Sequence, residues 1–331
     1  MLSPSEVDMG SSRRQFLQRS AALAGASKWL AAADSKIPTR QLGKTGAQVS
    51  ILAVGGGQRF YTTRSEDEAA QFITRAAEAG ITYFDNADSY GRGRSEQIMG
   101  RGFQARGGRK GLFIATKISN RNGAEVPAII ERSLKNLQLD QLDLIHIHSL
   151  ENEDDLARIE AKGGVLEALL KARDQKLTRF IGITSHDAPA AMKLALERHD
   201  FDCCQMALNA AMADMIGTTK PVTAGDHSFE SLALPAARRK NMGVIAMKVF
   251  ARDALSGQPE ATARNLIYYA LSLPVTTAVV GMPTLQHLEE NVALAKAFQP
   301  LPEARMRELS EALSTRNKTA VLEFLRTHVD A

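Results

Sequence analysis

Cysteine is scarce in this 331-residue chain: there are two, the adjacent Cys203 and Cys204. They offer no disulfide framework and no C-x-x-C metal pair. Neighbours on a strand face opposite ways, so they read as buried thiols and not as a redox couple. No run of about eighteen uninterrupted apolar residues occurs, which argues against a conventional spanning helix. Excess charge is also small, at a formal +4. The basic residues are scattered and form no aromatic-interleaved stripe, so no nucleic-acid partner is expected. No G-x-G-x-x-G follows a first strand, which leaves a Rossmann dehydrogenase unsupported. Linkers, low-complexity tracts and repeats of about 20–50 residues are missing too, so one domain is the economical reading. What remains, 44% hydrophobic and 24% charged residues, is the composition of a globular protein able to bury a large core.

The amino end carries a signal of its own. Ser12, Arg13, Arg14, Gln15, Phe16 and Leu17 match the S-R-R-x-F-L pattern of a twin-arginine export signal. A weakly apolar, alanine-rich stretch follows from Ala21, and Ala31-Ala32-Ala33 offers the small residues a signal peptidase needs. The competing reading is an ordinary basic amphipathic helix, which Lys28 inside the apolar stretch favours. The expectation is a twin-arginine (Tat) signal over residues 1–33, with the Tat export machinery as a partner. It implies a periplasmic or exported protein, with the cytoplasm as the alternative, and a single domain over residues 34–331.

Beyond Arg40 a rhythm sets in. Short apolar, β-branched runs occur at Val49 to Val54, Ile81 to Phe84, Leu112 to Thr116, Leu142 to Ile147, Phe180 to Thr184, Cys203 to Leu208, Val244 to Met247 and Thr277 to Val280. Between them lie segments of helical spacing: Glu66 to Ala79, Val126 to Leu137, Leu156 to Lys176, Pro189 to Glu197 and Pro259 to Leu273. Alternation of this kind builds parallel sheet from βα units, and eight runs is the number that closes a (β/α)8 TIM barrel. The tail from Pro302 to Val329 reads as two outer helices divided around Thr315 to Asn317.

In such a barrel the active face lies at the carboxyl ends of the strands, so polar residues that close apolar runs are the ones to collect. Asp85 closes the second run and Tyr90 stands just beyond it. Lys117 closes the third run, and His148 the fourth. Taken singly, a strand-end Asp or Lys is usually a surface residue and a lone His a satisfied polar group. Together they suit hydride transfer to a carbonyl, in which a developing alkoxide needs a proton donor and nearby positive or hydrogen-bonding groups. A phenol serves near neutral pH only if an adjacent ammonium stabilises its phenolate.

The stretch FDNADSYGRGRSE, through Asp85, Ala87, Tyr90, Gly91, Gly93, Ser95 and Glu96, resembles the catalytic signature of the aldo-keto reductases. The resemblance extends from about Arg40 to Phe298 and implies an aldo-keto reductase type barrel. It implies an Asp, Tyr, Lys, His tetrad: Tyr90 as general acid/base, Lys117 as its tuner, Asp85 holding Lys117, and His148 orienting the carbonyl. Asp143 and His148 reproduce the family's five-residue spacing. The resemblance also implies an NADP or NAD cofactor, with NADPH preferred on family grounds. Thr184, Ser185 and Gln205 stand where members hold the nicotinamide carboxamide. Met247 and Lys248 replace the residues of a motif whose tyrosine stacks on the ring. Glu290 and Asn291 stand at the adenine. Gly281, Met282 and His287 replace basic residues used for a 2′-phosphate, which leaves that role to His287 or Thr284, where a helix amino terminus can receive phosphate.

The implied activity is reduction of a small-molecule carbonyl or oxidation of an alcohol or sugar. Two rivals stand beside it. One is a cofactor-sensing or partner subunit that turns over slowly or not at all. The other is a metal-dependent barrel hydrolase using His146, His148, Asp85 and His186. That rival leaves Tyr90 and Lys117 unexplained, and no metal is expected. The loop Gln58 to Arg64, with Phe60 and Tyr61, and Phe250 are candidate apolar walls. The sequence leaves the oligomeric state open.

Overall fold

In the computed structural model, which describes residues 36–211, 228–251, 255 and 257–314, the rhythm of apolar runs becomes a closed sheet. The strands are β3 (Leu52–Gly55), β4 (Tyr83–Asp85), β5 (Phe113–Ile118), β6 (Leu142–Ile147), β7 (Thr178–Ser185), β8 (Cys203–Ala207), β9 (Gly243–Met247) and β10 (Thr277–Val280). All pair in parallel, and β10 closes on β3. Helices lie between them, so the fold is the expected (β/α)8 TIM barrel. A two-stranded antiparallel hairpin, β1 (Thr39–Gln41) with β2 (Gln48–Ser50), precedes it.

Two segments differ from the sequence reading, each for a local reason. The run Val49 to Val54 is divided between β2 and β3. Ser50 donates its hydroxyl to the Leu52 carbonyl and accepts the Thr82 amide, so the chain turns there. The helical segment Leu156 to Lys176 is two helices, Glu153–Glu160 and Val165–Asp174. Gly163 takes a φ of 74°, and a Cβ on Gly164 would meet the Ala161 carbonyl oxygen at 2.8 Å. Of the tail, residues 303–314 are helical. The second tail helix and the export signal over residues 1–33 lie outside the described residues.

Alternation along each strand sorts the core into two clusters. Ala53, Tyr83, Phe113, Ala115, Leu144, Cys203, Ile245 and Val279 pack inside the barrel, and Leu42 and Val49 of the hairpin region join them. Tyr83, Phe113 and Phe180 stack successively there, with centroids 5.3 and 6.2 Å apart. Cys203 belongs to this inner cluster and Cys204 to the outer one, so the two thiols do face opposite ways. Burial pushes both thiols up in pKa and keeps them unreactive.

The amino-terminal rim is fastened by charge. Asp143, buried at the start of β6, accepts from Arg109, from Arg179 at 2.8 Å and from the Ile114 amide at 2.8 Å, and so ties β5, β6 and β7. This aspartate is structural.

Outside the barrel, Tyr269 on the helix Ala263–Ser272 donates to Glu230 at 3.1 Å, and burial pushes the Glu230 carboxyl up to about 7. A raised carboxylate pKa means that the folded state holds a proton the unfolded chain releases above about pH 4.5. The stabilising effect is whole below that value and is lost as pH rises through 7. Glu230→Gln is therefore expected to unfold at a higher temperature than the parent at pH 8 and at an equal one at pH 4.5, a gain of about 3 kcal/mol at the higher pH. Equal melting temperatures at both pH values would contradict this reading.

Candidate active site

Strand alternation carries the polar residues to one place. Tyr83 and Asp85 on β4, Phe113, Ala115 and Lys117 on β5, and Leu144, His146 and His148 on and just after β6 share the inward parity. The lower members are apolar and pack the core, while the upper ones meet at the carboxyl ends of the strands. Past Asp85 the chain turns through Gly91, Arg92 and Gly93, whose φ values of 58°, 56° and 88° lie in the left-handed region. A Cβ at Gly91 would stand 2.8 Å from the Tyr61 ring, so glycine is needed there on steric grounds as well. The second half of the motif is an anchor. Ser95 donates to the Gly56 carbonyl at 2.6 Å, and Glu96, fully buried, accepts from Thr116 at 2.7 Å and Asn136 at 3.2 Å.

At the centre is the Lys117 ammonium. It donates to Asp85 Oδ2 at 2.6 Å and to the Asn86 carbonyl at 2.6 Å, and lies 3.4 Å from the Tyr90 hydroxyl. The same nitrogen stands 5.0 Å from the Tyr90 ring centroid. The His148 ring meets Tyr90 edge-on at 5.7 Å, and its Nδ1 lies 3.1 Å from the Ser119 hydroxyl. Lys117, Asp85 and His148 are 1–2% exposed and Tyr90 is 9% exposed, so the phenol is the member that reaches out of the stack. All four residues expected from the sequence come together.

A cavity of about 390 Å³ opens above them. Its wall includes Asp85, Tyr90, Gln205, Met247, Lys248, Gly281, Glu290 and Asn291 from the sequence-derived set. Thr184, Ser185 and Thr284 are not part of that wall. The Thr184 hydroxyl accepts the Ser149 amide at 2.8 Å, and Ser185 donates to the Leu150 carbonyl at 2.8 Å. Thr284 caps the helix Leu285–Lys296 by accepting the His287 amide, and its hydroxyl lies 2.6 Å from the His287 ring. The Gln205 amide nitrogen points to Asp85 Oδ2 at 3.3 Å. Of the candidate apolar walls, Phe60 and Phe250 line the cavity. The loop Gln58 to Arg64 begins as a short helix, Gln58–Thr62, and its Phe60 also packs edge-on against Phe72 at 6.1 Å.

Several supporting residues carry no motif and escape sequence reading. Arg121 grips Asp155 with two of its nitrogens, Nε at 3.0 Å and Nη2 at 2.8 Å, and donates to the His148 and Ser149 carbonyls, fixing the backbone beside His148. Ser119 sets the His148 ring, and the Asn86 carbonyl helps to aim Lys117. Ser149 and Lys248 hold φ values of 51° and 55° at two strand ends of this face, backbone conformations that concentrate at functional sites. Of the metal rival's histidines, His148 and His186 have Nδ1 within reach of a serine hydroxyl, Ser119 at 3.1 Å and Ser149 at 3.0 Å. Among the described residues no three His, Cys, Asp or Glu side chains converge as a metal site.

Comparison with known proteins agrees with this geometry. Residues 52–266 match the sequence model of the Aldo/keto reductase family. The chain is 27% identical over 303 residues to L-galactose dehydrogenase of Arabidopsis thaliana, covering 81% of this chain and 91% of that protein. It is 30% identical over 171 residues to a Schizosaccharomyces pombe aldo-keto reductase whose name carries NADP(+), with 48% of each chain aligned. The solved holo form of an aldo-keto reductase from Bacillus halodurans superposes with a TM-score of 0.66 over 84% of this chain and 96% of that one, at 24% identity, which speaks to the fold alone.

Proposed function

Since the chain belongs to the aldo/keto reductase family, we propose that it is an NAD(P)(H)-dependent oxidoreductase acting between a carbonyl and an alcohol, with Tyr90 as general acid/base. The observation that carries this reading is the Lys117 ammonium, held by Asp85 at 2.6 Å and placed 3.4 Å from the Tyr90 hydroxyl. An ammonium beside a phenol favours the phenolate, which lets the hydroxyl give and retake a proton near neutral pH.

The residues present fit a nicotinamide dinucleotide. The cavity wall runs from Asp85 and Tyr90, past Met247 and Lys248, to Glu290 and Asn291. At Gly281 a Cβ would meet nothing within 4 Å, and the helix Leu285–Lys296 begins three residues after Met282, an open approach to an anion site. When bound, the cofactor supplies or accepts the hydride. Met247 and Gln205 would hold the nicotinamide end, Lys248 and the helix amino terminus the phosphates, and Glu290 with Asn291 the adenine. Thr184 and Ser185 would act on the nicotinamide end through the loops they fasten.

In reduction, Tyr90 donates its proton to the carbonyl oxygen as negative charge builds there. Lys117 compensates the phenolate that results, Asp85 keeps Lys117 in place, and His148 donates to the same oxygen and sets its direction. In oxidation the same groups act in reverse. Small carbonyl compounds and sugars or their alcohols are the proposed substrates. The relative from Arabidopsis is named for a sugar dehydrogenase. NADPH is the preferred cofactor in this proposal, with His287 or Thr284 as the group available to a 2′-phosphate.

Residues 1–33 are proposed as a Tat signal that sends the folded chain, with cofactor already bound, to the cell envelope. The domain is then residues 34–331. A purified chain from Asp34 onward, assayed with NADPH against a panel of aldehydes, ketones and sugar aldoses and in reverse with sugars and NADP, is expected to change the nicotinamide absorbance with at least one class. A protein that binds cofactor but turns over none of them would favour the sensing subunit.

A further inference from the structure

Beneath the Asp85–Lys117 pair the apolar packing of the barrel is interrupted by buried polar atoms. His146 is fully buried, and neither of its ring nitrogens has a hydrogen-bond partner. The same holds for Asp85 Oδ1, Gln205 Oε1, the Tyr83 hydroxyl and the Thr277 hydroxyl. Strand register places these residues together. Lys117 pairs with His146, His146 with Gly182, Gly182 with Cys203 and Thr184 with Gln205. In a tilted barrel, inward residues of alternate strands share a layer. Asp85, His146, Gln205 and Val279 therefore form one layer, with Ala53, Ala115, Gly182 and Ile245 beneath it and Tyr83, Leu144, Cys203 and Thr277 beneath that.

The middle layer is the unusual one. Three of its four residues are Ala, Ala and Gly, which put little side-chain volume on the axis. Glycine at position 182 is required by the histidine, since a Cβ there would stand 2.5 Å from His146 Nδ1. The chain thus gives up side-chain volume beneath a buried imidazole, with partnerless oxygens of Asp85 and Gln205 in its layer and hydroxyls of Tyr83 and Thr277 two layers down. Orphaned buried polar atoms are what ordered internal water satisfies.

We propose that the barrel axis under the tetrad holds a small cluster of structural water bound by His146, Asp85 Oδ1, Gln205 Oε1, Tyr83 and Thr277, and that His146 acts through it as a positioning residue for Asp85 and hence for Lys117. The charged groups acting on His146 are Lys117 on β5 and His148 beyond its own strand, with Asp85 and Gln205 in its layer. Burial, Lys117 and His148 hold its imidazole well below the usual histidine pKa, so it remains neutral with one donor and one acceptor nitrogen. A water chain from that ring fixes the second oxygen of Asp85, and Lys117 then keeps its distance from Tyr90.

The catalytic part of this inference rests on the proposed reductase activity; the water does not. A high-resolution crystal structure of the purified protein is expected to show ordered water about 2.7–3.2 Å from His146 and from Asp85 Oδ1. A dry axis at that resolution overturns the proposal. Water present in a protein that lacks any reductase activity would sink the functional reading alone. For the positioning role, kcat is measured against pH for His146→Leu and His146→Gln. The leucine variant is expected to lose about tenfold in kcat and to move its basic limb up by about one pH unit, with KM and cofactor affinity unchanged. The glutamine variant, which can still hold water, keeps the parent profile. A folded leucine variant with the parent profile overturns the role. If that variant does not fold, a glutamine variant that keeps the water but shifts the profile as far overturns it instead, and one that keeps both supports it.

Discussion

Tyr90→Phe is expected to lower kcat by about 10²–10⁴-fold while leaving the fold and cofactor affinity in place. The substitution removes one oxygen, and that oxygen sits 3.4 Å from the Lys117 ammonium at the outer end of the buried stack. The ring that remains still packs edge-on to His148 and lines the cavity. A proton donor is lost at the point where alkoxide charge develops, so the damage falls on kcat and not on binding. The same variant separates the two functional readings. A cofactor-sensing subunit keeps its response without the hydroxyl, whereas a reductase loses turnover.

Lys117→Met acts twice. It takes the tuning charge from Tyr90 and strands a buried carboxylate, since Asp85 Oδ2 is bonded to the ammonium at 2.6 Å and Oδ1 has no hydrogen-bond partner. Breaking a buried ion pair from one side costs about 3–5 kcal/mol. Denaturant unfolding is expected to show that loss, together with activity near the Tyr90→Phe level. The double variant Lys117→Met, Asp85→Asn removes the stranded charge and recovers much of the stability with none of the activity. Full stability in the single variant would mean that the pair is not buried as described. Recovery of activity in the double variant would remove Lys117 from the chemistry.

Much of this was legible in the sequence because strand ends and chemistry coincide. The run Leu142 to Ile147 is β6 residue for residue, and Asp85, Tyr90, Lys117 and His148 meet because inward parity and strand ends are countable along the chain. Side-chain direction was less legible. Thr184 and Ser185 follow the expected motif, yet both hydroxyls fasten loops, since a one-residue change of parity or one backbone amide nearby decides where they bond. Gln205 turns its nitrogen to Asp85, which spacing does not reveal. Arg121 lies four residues past Lys117 with no pattern to mark it, and its partners are 27 to 34 positions away. The break at Gly163-Gly164 was present as a glycine pair but was overridden by the apolar spacing on either side.

Fluorescence titration of the chain from Asp34 onward with NADPH, and in parallel with NADH, tests the central claim most directly. Saturable binding of at least one of them is expected, with the ratio of affinities reporting what Gly281 and His287 do to a 2′-phosphate. No binding of either up to about a millimolar, where useful affinity has largely vanished, would contradict it.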